Sequence, residues 1–157
     1  MNNTGLICVT HDPNGKNISL VRKLSQKLNH IYSDLYITVS EVTDKDLIDE
    51  LERNRFNVRV IPKKGAAHAR REVLKFGLHG SNQHFHYCDF DRLLTWTDKY
   101  DYELKDIVDE IPRYDLRLEL KKCHIKSKKN KKPTKINKAG FKISILQVLI
   151  EQYFPDF

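Results

Sequence analysis

A β-prone run, His84-Phe85-His86-Tyr87-Cys88-Asp89-Phe90-Asp91-Arg92, ends in two carboxylates one residue apart. Along an extended chain residues i and i+2 share a side. Asp89 and Asp91 are therefore expected to aim at one point just past a strand's end. Two hard carboxylates placed there can hold a divalent cation, and the cation can carry a diphosphate. Open α/β sheets bind ligands outside the carboxyl ends of their strands, so this chemistry depends on the elements that bring the run to a sheet edge. His84 and His86 have a spacing that suits a metal, but no third ligand accompanies them. They read as structural or solvent-facing histidines.

Three strand–helix units precede the run. Residues 5–10 (Gly-Leu-Ile-Cys-Val-Thr) form a short apolar stretch of the buried parallel-strand kind, followed by the breaker-rich turn His11-Asp12-Pro13-Asn14-Gly15. Ile18, Val21, Leu24, Leu28 and Ile31 recur at three- and four-residue steps, which predicts an amphipathic helix over about residues 17–32. Residues 35–39 are β-branched and aromatic enough for a second strand. Thr43 then stands as a helix N-cap with Asp46 three residues on, ahead of the apolar stripe Leu47, Ile48 and Leu51. Residues 57–61 predict a third strand, stopped by Pro62. Gly65 opens a helix through about Leu78, with Ala66, Ala69, Val73 and Phe76 inward. A fourth strand delivers Asp89 and Asp91, and Trp96 is expected to pack at the domain edge. Residues 103–110 predict one more helix, ended by Pro112, and residues 114–120 a fifth strand.

This alternation predicts an α/β three-layer sandwich with a mostly parallel sheet. Right-handed crossovers collect Thr10, His11, Asp12, Glu41, Asp44, Lys63, Lys64, Asp89 and Asp91 at one sheet edge. Carboxylates mixed with cations suit a metal-bridged anionic ligand better than bare phosphate. No Gly-x-Gly-x-x-Gly follows the first strand and no Gly-x-x-x-x-Gly-Lys-Ser/Thr occurs, which argues against dinucleotide and P-loop sites.

The net charge of +7 in 157 residues is unevenly placed. Residues 121–142 hold ten lysines and no acid, and only Glu151 and Asp156 follow, so the chain from position 121 onward carries +8. The first 120 residues hold 18 Lys+Arg against 19 Asp+Glu, a net −1. The expected organisation is an α/β domain over residues 1–120, a lysine-rich flexible segment over 121–142 and a short apolar helix over 143–157. The lysine segment could bind RNA or another anionic surface non-specifically. No run of 18 apolar residues exists, so no membrane span is expected. Cys8, Cys88 and Cys123 lack Cys-x-x-Cys spacing and suit a reducing cytoplasm.

In order and spacing, residues 5–95 resemble the nucleotide-binding half of a GT-A glycosyltransferase, closest to the family 2 type. Thr10-His11-Asp12 resembles the loop that touches the nucleotide, Glu41 the acidic residue near the base. Gly65-Ala66-Ala67-His68-Ala69-Arg70 resembles the glycine step into an Ala-Arg helix before the Asp-x-Asp. The resemblance implies nucleotide-sugar binding by Thr10, Asp12, Glu41, Arg70 and Asp89, with Mn²⁺ or Mg²⁺ on Asp89 and Asp91. Family members add a segment with the acceptor site and its base. Nothing after residue 120 matches it, so the expectation is a short or truncated member with no catalytic residue assigned. A phosphatase-type use of Asp89 and Asp91 fits poorly. That arrangement follows a chain's first strand and carries Thr or Val where Leu93 stands. A basic-tailed nucleic-acid-binding protein on an α/β scaffold is the alternative of a different class.

Overall fold

Apolar strands without a polar face need cover on both sides, and the computed structural model, which describes residues 3–113, supplies it. The order is β1 (Thr4–Thr10), α1 (Ile18–Ile31), β2 (Leu35–Ser40), α2 (Lys45–Arg53), β3 (Phe56–Ile61), α3 (Ala66–Leu78), β4 (His84–Tyr87), α4 (Phe90–Lys99) and α5 (Asp101–Glu110), closed by a 3₁₀ turn, Ile111–Arg113. The four strands form one parallel sheet in the order β3-β2-β1-β4, and the α/β sandwich expected from the alternation is what the chain adopts. The predicted strand over residues 114–120, the lysine segment over 121–142 and the helix over 143–157 lie outside the described residues.

Alternation along the strands divides the core. Ile7, Tyr36 and Val73 pack together with Val9, Leu74, Phe76, Phe85 and Tyr87, so α3 covers this face alone among the described helices. Leu6, Cys8, Leu35, Ile37 and Val39 point the other way, where α1 packs against α2 and α4. Leu24, Leu28, Leu47, Leu51, Leu93 and Leu94 are fully buried on that side, each worth about 1.5–3 kcal/mol of transfer from water. Gly77 explains a glycine inside α3: a Cβ there would come within 2.7 Å of Ile7 Cγ2, so its bareness lets helix and strand approach.

Two local readings change. The N-cap of α2 is Asp44, not Thr43; its carboxylate accepts from the Leu47 backbone N–H at 3.1 Å. Thr43 is buried and bonds Ser40 Oγ at 3.0 Å instead. The second change is larger. The chain does not run on as a strand through Asp91 but turns into α4 at Phe90. Phe90, Leu93, Leu94 and Thr97, spaced three and four apart, are buried along its inner side, and so is Trp96, at 3% exposure.

Candidate functional site

All four strands being parallel, their carboxyl ends share one edge of the sheet. Strand order reverses between β1 and β4: the chain builds outward through β2 and β3, then returns to the far side of β1. Such reversals are where α/β sheets bind ligands. The residues named from the sequence meet there unequally.

Tyr87 ends β4 on the α3 face, and Arg70 lies on α3 above it. Arg70 Nε donates to the Tyr87 hydroxyl at 3.0 Å, and that hydroxyl donates to Asp89 Oδ1 at 2.6 Å. Arg70 Nη2 stands 3.7 Å from the same oxygen. The guanidinium carbon lies 6.0 Å from the Tyr87 ring centroid. Both charged side chains remain partly open, at 25% for Arg70 and 31% for Asp89. Burial, then the Asp89 carboxylate, hold the Tyr87 phenol far above its ordinary range, so it stays a donor. Neighbouring Cys88 is pushed up to about 12, first by burial and then by Asp89. Thiolate chemistry is thereby suppressed. Tyr87 is the member sequence reasoning passed over; its place two residues before Asp89, with a hydroxyl at the end of an inward-facing ring, was the available signal.

Asp89 occupies the N-cap position of α4 in extended conformation, but its carboxylate makes no capping bond. Asp91 sits exposed in the first helical turn. Helical residues two apart do not face one another, so the pair is arranged by a helix start rather than by strand alternation. Carboxylates there also complement the positive end of the helix dipole. Among the described residues no three His, Cys, Asp or Glu side chains gather around one point as a metal cage. The two carboxylates are hard oxygen donors of the kind Mg²⁺ and Mn²⁺ take. A cation held by them would draw its remaining ligands from water and from bound phosphate.

The other named residues lie at the same edge but are turned toward the loops. Asp12 is 5% exposed; Oδ1 accepts from Lys16 N–H at 3.1 Å and Oδ2 from Asn17 N–H at 2.9 Å. Its carbonyl accepts from Asp44 N–H at 2.9 Å, tying the loop after β1 to the start of α2. Gly15 completes that loop at φ +62, where a Cβ would meet Ile18 Cδ1 at 2.7 Å. Glu41 is exposed, and its Oε1 accepts from Lys63 N–H at 3.1 Å. It thus fastens the chain that leads to Gly65 and α3. Thr10 is the half-buried last residue of β1 beside Val39. His11 bonds Ser40 Oγ through Nδ1 at 2.7 Å. His86 is interior: its Nδ1 lies 2.6 Å from the Tyr32 hydroxyl and its ring packs edge-on to Trp96. It serves the core.

No helix among the described residues is long and apolar enough to cross a membrane. Comparison with protein families, curated proteins and solved structures finds no match for this chain.

Proposed function

We propose that the carboxyl edge of this sheet binds the diphosphate of a nucleotide-sugar together with a divalent cation, in a glycosyltransferase-like protein of the reducing cytoplasm. One observation carries the reading: Arg70, Tyr87 and Asp89 converge where strand order reverses, with both signs of charge within 3.7 Å. A bare phosphate would be repelled by Asp89 and Asp91. A bare cation would be repelled by Arg70. A diphosphate arriving with its cation satisfies both. In this reading Arg70 contacts the diphosphate, Asp89 and Asp91 hold Mg²⁺ or Mn²⁺, and Thr10 and Glu41 border the nucleoside. Asp12 acts by shaping the loop after β1. The bound cation would offset the charge of the nucleoside diphosphate as a leaving group.

Calorimetric titration of UDP and GDP, with and without Mn²⁺, tests this on the unmodified protein and on Asp91→Asn. The expected result is nucleotide affinity that rises at least about tenfold with Mn²⁺, and loss of that increment in Asp91→Asn while the variant still unfolds cooperatively on heating. Equal affinities with and without Mn²⁺ in the unmodified protein would refute the metal bridge.

A further inference from the structure

We propose that the α3 side of this protein docks on an anionic phospholipid surface, with the lysine-rich and apolar sequence after residue 120 as a second attachment. The inference stands apart from the diphosphate reading: neither Asp89 nor Asp91 enters it, and its test contains no nucleotide.

Charge singles out this side. Residues 3–113 hold 17 Lys+Arg and 17 Asp+Glu, a net charge of zero. Residues 59–79, from β3 through α3, hold six of those cations and one acid, Glu72. They carry +5, and the other described residues −5. The sheet separates the two signs, because α3 covers one face while α1, α2 and α4 pack together on the other. A basic face of this kind attracts a polyanion.

Within α3, Val73 and Gly77 are buried, and at about 100° per residue Arg71, Lys75 and Leu78 stand on the opposite, outward side. Lys75 and Leu78 are exposed and Arg71 half-buried. Exposed Lys63 and Lys64 lead into the helix. Arg59 lies along its flank, with the guanidinium carbon 4.1 Å from the Phe76 ring centroid. A hydrogen bond from Lys75, with weaker pulls from His68 and Arg59, holds the Glu72 carboxyl below its ordinary range, so cations outweigh the one acid here. Arg70 is engaged with Tyr87 and Asp89 and is not needed for this face.

Two observations select lipid over nucleic acid. Single strands are held by aromatic side chains on which bases stack. The exposed tyrosines, Tyr100 and Tyr102, stand instead in the acidic stretch 98–103, whereas the large apolar side chains exposed on α3 and β3 are aliphatic, Leu78 and Val60. The sequence after residue 120 also joins ten lysines over 121–142 to an apolar run, Ile143, Ile145, Leu146, Val148, Leu149 and Ile150. Basic charge serves either polyanion, but an apolar run adds affinity for a lipid surface, where two weak signals together make a stable attachment.

The test is co-sedimentation of the full-length protein with phosphatidylcholine vesicles, with and without about one third phosphatidylserine. Binding is expected to the anionic vesicles alone, and to weaken as salt screens it. Each cation near such a surface is worth about fivefold in partition, so Arg71→Gln with Lys75→Gln should weaken binding at least about tenfold. Leu146→Ser with Leu149→Ser should also weaken it about tenfold or more. Circular dichroism melting confirms that each variant is folded. Absence of binding to the anionic vesicles would overturn the proposal, and unchanged binding by the Arg71/Lys75 variant would overturn the role of the α3 side. Unchanged binding by the Leu146/Leu149 variant, or tighter binding to a short RNA than to the vesicles at equal salt, would overturn the choice of lipid.

Discussion

Asp12→Ala is expected to weaken the fold itself, whatever it does to a ligand. Asp12 is 5% exposed, and its carboxylate accepts from two backbone N–H groups, of Lys16 at 3.1 Å and Asn17 at 2.9 Å. A hydrogen bond to a charged partner contributes about 1.5–3 kcal/mol, and removing the acceptor orphans the donor. Partial hydration of the opened loop and relief from burying a charge return some of that. The expected net loss is about 3 kcal/mol for alanine. Asp12→Asn retains one acceptor oxygen and should lose roughly half as much. The assay is equilibrium urea unfolding followed by fluorescence of Trp96, the single tryptophan, which is 3% exposed. A stability loss below about 1 kcal/mol for Asp12→Ala, accompanied by loss of nucleotide binding, would refute this reasoning. It would place Asp12 among the groups that touch the ligand, the role its resemblance to the family implied.

Burial holds the His86 imidazole neutral down to about 4, whereas in the unfolded chain it protonates near its ordinary value of about 6.5. As pH falls the unfolded state takes up the proton first. The stabilisation is therefore intact above 6.5, declines through the window down to about 4 and is gone below it, a loss of roughly 3 kcal/mol. Replacing both members of the pair, Tyr32→Phe with His86→Phe, should flatten that part of the urea midpoint against pH; an unchanged acid limb would sink the assignment. Gly77→Ala should destabilise by about 1–3 kcal/mol despite alanine's better helix propensity, because the added methyl meets Ile7 Cγ2. A melting temperature that rises would show that α3 shifts freely over β1. Arg55 sits at φ 69 after α2, and Arg55→Gly should raise stability by about 0.5–1 kcal/mol in the same urea assay.

What the chain settled locally is its alternation. The apolar runs of β1 and β2 and the three- and four-residue spacing of α1 are short-range patterns. Their periods match the backbone geometries that bury them, so a parallel α/β sandwich followed from residues a few positions apart. The edge holding Thr10, Asp12, Glu41 and Asp89 followed in turn, because parallel strands put all carboxyl ends on one side. Tertiary structure decided what those residues do. The Asp-x-Asp run was extended on local propensity, but Phe90, Leu93, Leu94 and Trp96 bury more apolar surface as one face of a helix against α1 and the sheet. The strand therefore ends at Tyr87. Asp12 reads as a free loop carboxylate until the backbone turns at Gly15 and brings the Lys16 and Asn17 N–H groups onto it. The contacts that set the chemistry span greater separations: 17 residues between Arg70 and Tyr87, 54 between Tyr32 and His86. No local period encodes such pairs. They form only when the α3 crossover returns the chain to the far side of β1, because that return brings Tyr87 within reach of Arg70 on α3 and His86 beside Tyr32 at the end of α1.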